Sequence, residues 1–220
     1  MTQDRREFLE TLAAAAIAGR TGGTGGTGGT DGPAEGRTSP SPLPAASDWD
    51  LSWTSRFRGP HRAVFDWYQP RSPAGVWRAG VWKQQVVEAF GVKPEDVASV
   101  LVIRHSAIPM IMSDEFWLRH KLGKVRKIKD EDGKKTAERN PYRKTIDGLL
   151  KNGGIVLACG FAFGAMVSLE AKLQQKQASE VRPAVQQEVI PGIILQPSGF
   201  FALLEAQRNG CGLFPADVLL

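Results

Sequence analysis

The sequence predicts an α/β protein in three layers, with a mostly parallel sheet covered by helices on both faces. Short apolar runs rich in β-branched residues recur at Val100–Ile103, Ile155–Leu157 and Ile193–Leu195. Segments with helical spacing separate them, and Gly91, Gly153 and Gly154 punctuate the boundaries. Strands alternating with helices form βαβ units, whose crossovers are right-handed almost without exception.

The first 46 residues hold almost no side chains able to join a core, so the folded unit begins near Asp48. Arg62–Trp67 reads as the first strand. Pro73–Phe90 follows as a helix, with Pro73 suited to its first turn and Gly91 to its stop. Ala98–Arg104 is a buried strand, and Asp114–Leu122 a short helix carrying Phe116, Trp117 and His120. Residues 123–140 are charge-dense and read as a surface excursion inserted between core elements. Tyr142–Leu150 returns to helical spacing, Ile155–Cys159 is the third strand, and Phe161–Lys176 the next helix. Ile193–Pro197 is a fourth strand, Phe200–Gln207 a helix, and Gly212–Phe214 a short last strand.

Ahead of this domain, Arg5 and Arg6 precede Phe8 and Leu9 and an Ala-rich run of about eight residues, too short for the roughly 20 that span a bilayer. This resembles a bacterial twin-arginine (Tat) signal, although Asp4 and Glu10 stand where that pattern favours Ser or Thr and Lys. The alternative is an amphipathic helix with a chance Arg-Arg pair. Residues 21–46, with Gly-Gly-Thr repeats and then Ser-Pro-Ser-Pro-Leu-Pro, read as a disordered linker. The expected organisation is signal 1–20, linker 21–46 and domain 47–220. The expected destination is the bacterial periplasm, or export more broadly, and a Tat route carries cargo already folded. No other segment is long and apolar enough for a stable membrane span.

Net charge is +5, and the chain from residue 47 holds 24 basic against 18 acidic residues. Much of that excess lies in Lys121–Lys135, without the wide basic face and interleaved aromatics of a nucleic-acid reader, so no nucleic-acid partner is expected. Two cysteines, Cys159 and Cys211, are too few for a disulfide framework or a four-thiolate zinc site. His61 and His120 have no partners at metal-ligand spacing, so no metal is expected. No Walker or G-x-G-x-x-G pattern follows a strand, and no cofactor is expected.

In an open parallel sheet, ligands bind beyond the carboxyl ends of the strands. Those ends carry Asp66, Trp67 and Tyr68, then His105, then Cys159, then Ser198. Cys159 stands where a buried strand turns into a helix, whose dipole favours the thiolate that attacks persulfides and disulfides. The other reading is a small buried hydrophobe at a strand end. Gly160 would let a substrate approach the backbone. His105 serves either as a base or donor beside the thiol or as a cap of the following turn. Ser198, before Gly199, reads first as a helix N-cap, since no G-x-S-x-G elbow surrounds it.

These residues carry a resemblance to the DsrE-like family. The similar segments are Val64–Asp66, Val100–His105, Gly154–Gly160, and Ile190–Gly199 leading to Leu204–Gly210. The last is the most specific: a Pro-Gly turn, a strand, Pro-Ser-Gly, then a helix ending in Gln-x-x-Gly. The resemblance spans about His61–Phe214. It implies a parallel, five-stranded α/β/α domain that assembles as homotrimers or hexamers. In sulfur-transferring members a cysteine near the end of the third main strand carries persulfide, and Cys159 occupies the similar place.

Three functional expectations follow. The first is an exported sulfur carrier or relay through Cys159 with His105 nearby. It would use Asp66, Tyr68, Gly160, Ser198 and Gly199 to bind a small sulfur-containing molecule or a partner thiol protein. The second is a non-catalytic oligomeric module that binds a small molecule, with Cys159 merely packed. The third is a redox protein cycling Cys159 with Cys211.

Overall fold

The computed structural model describes residues 49–69 and 74–216. Arg5, Arg6, Phe8, Leu9, the linker, Asp48 and Pro73 lie outside them. After a 3-10 turn at Ser52–Arg56 come β1 (His61–Trp67), α1 (Ala74–Phe90) and β2 (Val97–Ile103). A 3-10 helix at His105–Ile111 leads to α2 (Asp114–His120), α3 (Leu122–Arg126), α4 (Arg143–Lys151) and β3 (Ile155–Cys159). The chain continues through α5 (Gly160–Gln174), α6 (Ala178–Gln187), β4 (Ile193–Gln196), α7 (Gly199–Arg208) and β5 (Gly212–Pro215).

The five strands form one all-parallel sheet in the order β4-β3-β2-β1-β5. From β1 to β4 each step moves one place in the same direction. Right-handed crossovers then put the intervening helices on one face. The link from β4 to β5 runs back across the sheet and lays α7 on the other face. The result is three layers, α/β/α.

Strand parity matches this arrangement. Ala63, Phe65, Trp67, Leu101, Ile103, Val156 and Ala158 pack with apolar residues of α1, α4, α5 and α6. Val64, Val100, Val102, Ile155 and Leu157 pack instead with Ala202, Leu203 and Ala206 of α7 and with Trp53. Strand β2 is buried along its whole length, which makes it the centre of the sheet. Complete burial of each large aliphatic there contributes about 1.5–3 kcal/mol. The edge strands β4 and β5 have four residues each and are the more exposed.

Several elements differ from the sequence reading. The helix expected over Asp114–Leu122 stops at His120, because Lys121 is left-handed with φ 49°, and the chain restarts as α3. The 123–140 segment exposes most of its charges, with Arg126 partly buried, and is anchored by buried Ile128, Ala137 and Asn140. Asn140 donates from Nδ2 to the carbonyls of Met110 (2.7 Å) and Met112 (2.9 Å), and its Oδ1 accepts from Tyr142 N–H (3.0 Å). Helix α6 has no counterpart in the sequence reading. Trp77 on α1 is exposed and joins no core of this chain. No described helix is long and apolar enough to cross a membrane.

Candidate functional site

The loops leaving β3 and β4 diverge, since β3 feeds α5 on one face and β4 feeds α7 on the other. Such a switch point opens a crevice beyond the carboxyl ends of neighbouring strands. Cys159 and Gln196 are paired at that edge of the ladder, and Ser198 follows two residues later.

Cys159 is the N-cap of α5. Its Sγ accepts the Ala162 backbone N–H at 3.3 Å, the role a serine or aspartate oxygen usually plays. The residue is 6% exposed and lies among the apolar side chains of the larger core. Gly160 is required by close packing: a methyl group there would stand 2.7 Å from the Gln196 carbonyl oxygen and 2.9 Å from Cη2 of Trp49. The Trp49 ring therefore covers the start of α5. Gln196 secures that covering segment, accepting from Trp53 Nε1 (3.2 Å) and donating to the Asp50 carbonyl (2.8 Å). Trp53 is fully buried beneath α7.

Asp66 and Arg104 share the parity of Val64 and Val102 and emerge on the α7 face. In the register, Asp66 faces Val102, so Arg104 is its diagonal neighbour. Arg104 Nε and Nη2 donate to the two Asp66 oxygens at 2.7 and 2.8 Å, a bidentate pair with side chains 18% and 16% exposed. The guanidinium lies over the Tyr68 ring (5.1 Å) and the Phe200 ring (4.7 Å). A methyl group on Gly199 would stand 2.6 Å from Arg104 Cδ and 2.7 Å from its Cβ, so this glycine gives the arginine its channel. The Asp66 hydrogen bond raises the Arg104 pKa, against a lowering by burial. Arg104 stands one step beyond the Ile103–Ala158 pair, as Cys159 does.

Ser198 is the N-cap of α7 and accepts from Phe201 N–H at 3.1 Å. His105 is exposed at the start of its 3-10 helix with φ 53°, a left-handed conformation uncommon outside glycine. Among the described residues, the hydrogen-bond partner of the Cys159 sulfur is Ala162 rather than His105. The structure thus gathers Asp66, Tyr68, Gly199 and Ser198 around Arg104 and α7, with Cys159 at the end of the next strand and Gly160 opening α5. In the sequence Arg104 is only the polar end of an apolar strand; the register alone places it diagonally across from Asp66.

Cys211 sits on the α7 face in the smaller core, whereas Cys159 belongs to the larger one. Both are free thiols, so the structure holds no Cys159–Cys211 bond. Burial pushes the Cys211 pKa up to about 11, against a lowering by Arg62.

No family model and no curated protein matches the chain. Among solved structures, it is similar to a protein of unknown function, MTH1491, from Methanobacterium thermoautotrophicum. The two share 10% identity over 70% of this chain and 98% of that chain, with a TM-score of 0.42.

Proposed function

We propose that the protein is an exported, DsrE-like sulfur carrier that holds a sulfane sulfur on Cys159 and works as a homo-oligomer. The observation that carries this reading is the Cys159 sulfur in the N-cap position of α5, accepting the Ala162 N–H at the sheet's switch point. A sulfur so placed presents its lone pairs to the backbone N–H groups that open the helix. The thiolate attacks the outer sulfur of a donor, the donor's sulfur–sulfur bond breaks, the rest of the donor leaves with the bonding electron pair, and a persulfide forms on Cys159. Asp66, Tyr68, Ser198 and Gly199 shape the mouth through which a small sulfur compound or a partner thiol would approach.

The test is the intact mass of the full chain after exposure to inorganic polysulfide, beside Cys159→Ser and Cys211→Ala. One added sulfur atom, kept in Cys211→Ala and absent from Cys159→Ser, supports the carrier. An unchanged mass on reduced, folded protein overturns it.

A second reading, a non-catalytic module that binds a small molecule, is favoured by the low exposure of Cys159 and by Trp49 packed against Gly160. It predicts that mass and thiol reactivity stay unchanged while a ligand still raises the melting temperature.

A further inference from the structure

Arg104 has no place in the sulfur chemistry just described, yet much of the strand-end architecture is devoted to holding it. Asp66 fixes the guanidinium from one side, two aromatic rings flank it, and Gly199 clears its stem. The pair does little to hold strands together, since β1 and β2 are already bonded along seven register pairs. Asp66 engages Nε and Nη2; among the described residues, nothing accepts a hydrogen bond from Nη1. A guanidinium has five N–H donors in a rigid fork, so its outer donors remain for an anion. The lateral neighbour of Arg104, one step beyond the last β2–β3 pair, is Cys159.

We propose that Arg104 is the specificity-determining residue of this site and selects sulfane-sulfur donors with an anionic end, such as thiosulfate or polysulfide. The inference rests on reading Cys159 as the reactive group. With thiosulfate, the Cys159 thiolate attacks the outer sulfur, the sulfur–sulfur bond breaks, and sulfite leaves with the bonding electron pair. A persulfide anion remains on the cysteine, total charge is conserved, and no oxidant is consumed. Arg104 meets the anionic end of the donor through its outer N–H groups, and Asp66 keeps the fork pointed while offsetting part of its charge.

The experiment uses the full chain carrying Cys211→Ala, so that one thiol remains. It compares second-order labelling by two methanethiosulfonates, one bearing a sulfonate and the other a trimethylammonium group. Both form a disulfide on Cys159 and release methanesulfinate, so they differ chiefly in charge. Arg104→Gln is expected to lower the sulfonate-to-ammonium rate ratio about tenfold, a change that one nearby unit charge in a partly screened site supplies. Arg104→Lys should retain most of the ratio, and Asp66→Asn should raise it. Melting temperatures identify any variant that fails to fold, and the opposite signs expected for Arg104→Gln and Asp66→Asn separate charge selection from general loosening.

A ratio equal to wild type in folded Arg104→Gln overturns the proposal, as does a folded wild type in which neither reagent reaches Cys159. A shifted ratio in a protein that gains no sulfur from polysulfide supports Arg104 as the charge selector and removes the carrier reading alone.

Discussion

His120 and Glu170, fifty residues apart in the chain, meet at 2.6 Å between Nε2 and Oε2 with side chains only 6% and 5% exposed. Arg119 donates to Glu170 at 3.2 Å and also pairs with Glu188, while Gln174 donates to Glu170 at 2.5 Å. The network binds α2 to α5 and to the end of α6. Burial would raise the Glu170 pKa, but the hydrogen bonds from Gln174, His120 and Arg119 outweigh it and hold the carboxyl below its ordinary value.

A depressed carboxyl pKa stabilises the fold above the unfolded value of about 4.3, and that contribution fades as pH falls through the folded value. Glu170→Gln should therefore destabilise the protein at pH 7 by about 3 kcal/mol, the usual cost of breaking a buried pair. The gap between mutant and wild type should narrow as the pH drops below about 4. Urea denaturation at a series of pH values measures both; a gap independent of pH would deny the network its charge.

Asn140 offers a complementary test. Its amide nitrogen faces two carbonyls, so Asn140→Asp would aim a carboxylate at two acceptors. The expected loss is about 2–3 kcal/mol at pH 7, as for a buried polar group left unsatisfied. The introduced carboxyl would have a raised pKa, so stability should recover on acidification and disappear as pH rises. Thermal melts at pH 4.5 and 7.5 would show whether the sign is right.

The segment from Trp49 to Trp53 is a structural part of the domain. Trp53→Ala should cost about 3–5 kcal/mol, the range for emptying a buried aromatic site. It would also deprive Gln196 Oε1 of its donor. Trp49→Ala should cost much less stability but increase alkylation of Cys159 by iodoacetamide severalfold, because its ring covers Gly160. Equal alkylation rates would show that the ring does not restrict access.

Cys211, with a pKa of about 11, should stay unmodified by iodoacetamide at pH 7.5 until the chain is unfolded. Peptide mapping after timed alkylation gives the order in which the two thiols react. Labelling of Cys211 in the folded chain at a rate matching a free thiol would contradict its burial.

The sheet was legible because its strands are short apolar runs with sharp boundaries, and all five lie close to their expected places. Helix α6 was not, since Ala178–Gln187 offers only Val181 and Val185 as buried residues and contains Pro183. The strand-end positions of Asp66, Cys159 and Ser198 followed from alternation of strands and helices, and Ser198 caps α7 as expected. Their partners did not follow. Arg104 reads as the polar end of a strand until the register shows which residue lies diagonally across. Glu170 reads as a surface position of a helix until α2 is packed against it. Trp53 sits in a polar stretch whose burial depends on α7, about 150 residues away in sequence. Such relationships belong to topology, and local pattern carries none of them.

The return of the chain from β4 to β5 also sets an order of assembly. Strands β1 to β4 are joined by connections between neighbours, but β5 must pair with β1 across the length of the domain. Distant pairings of this kind are slow to close. The wall formed by Ser198, Gly199 and Phe200 is synthesised after Asp66, Arg104 and Cys159, and Trp53 has no roof until α7 arrives. On the ribosome the cysteine therefore emerges before the residues that follow β4 are in place. Only the completed chain encloses it.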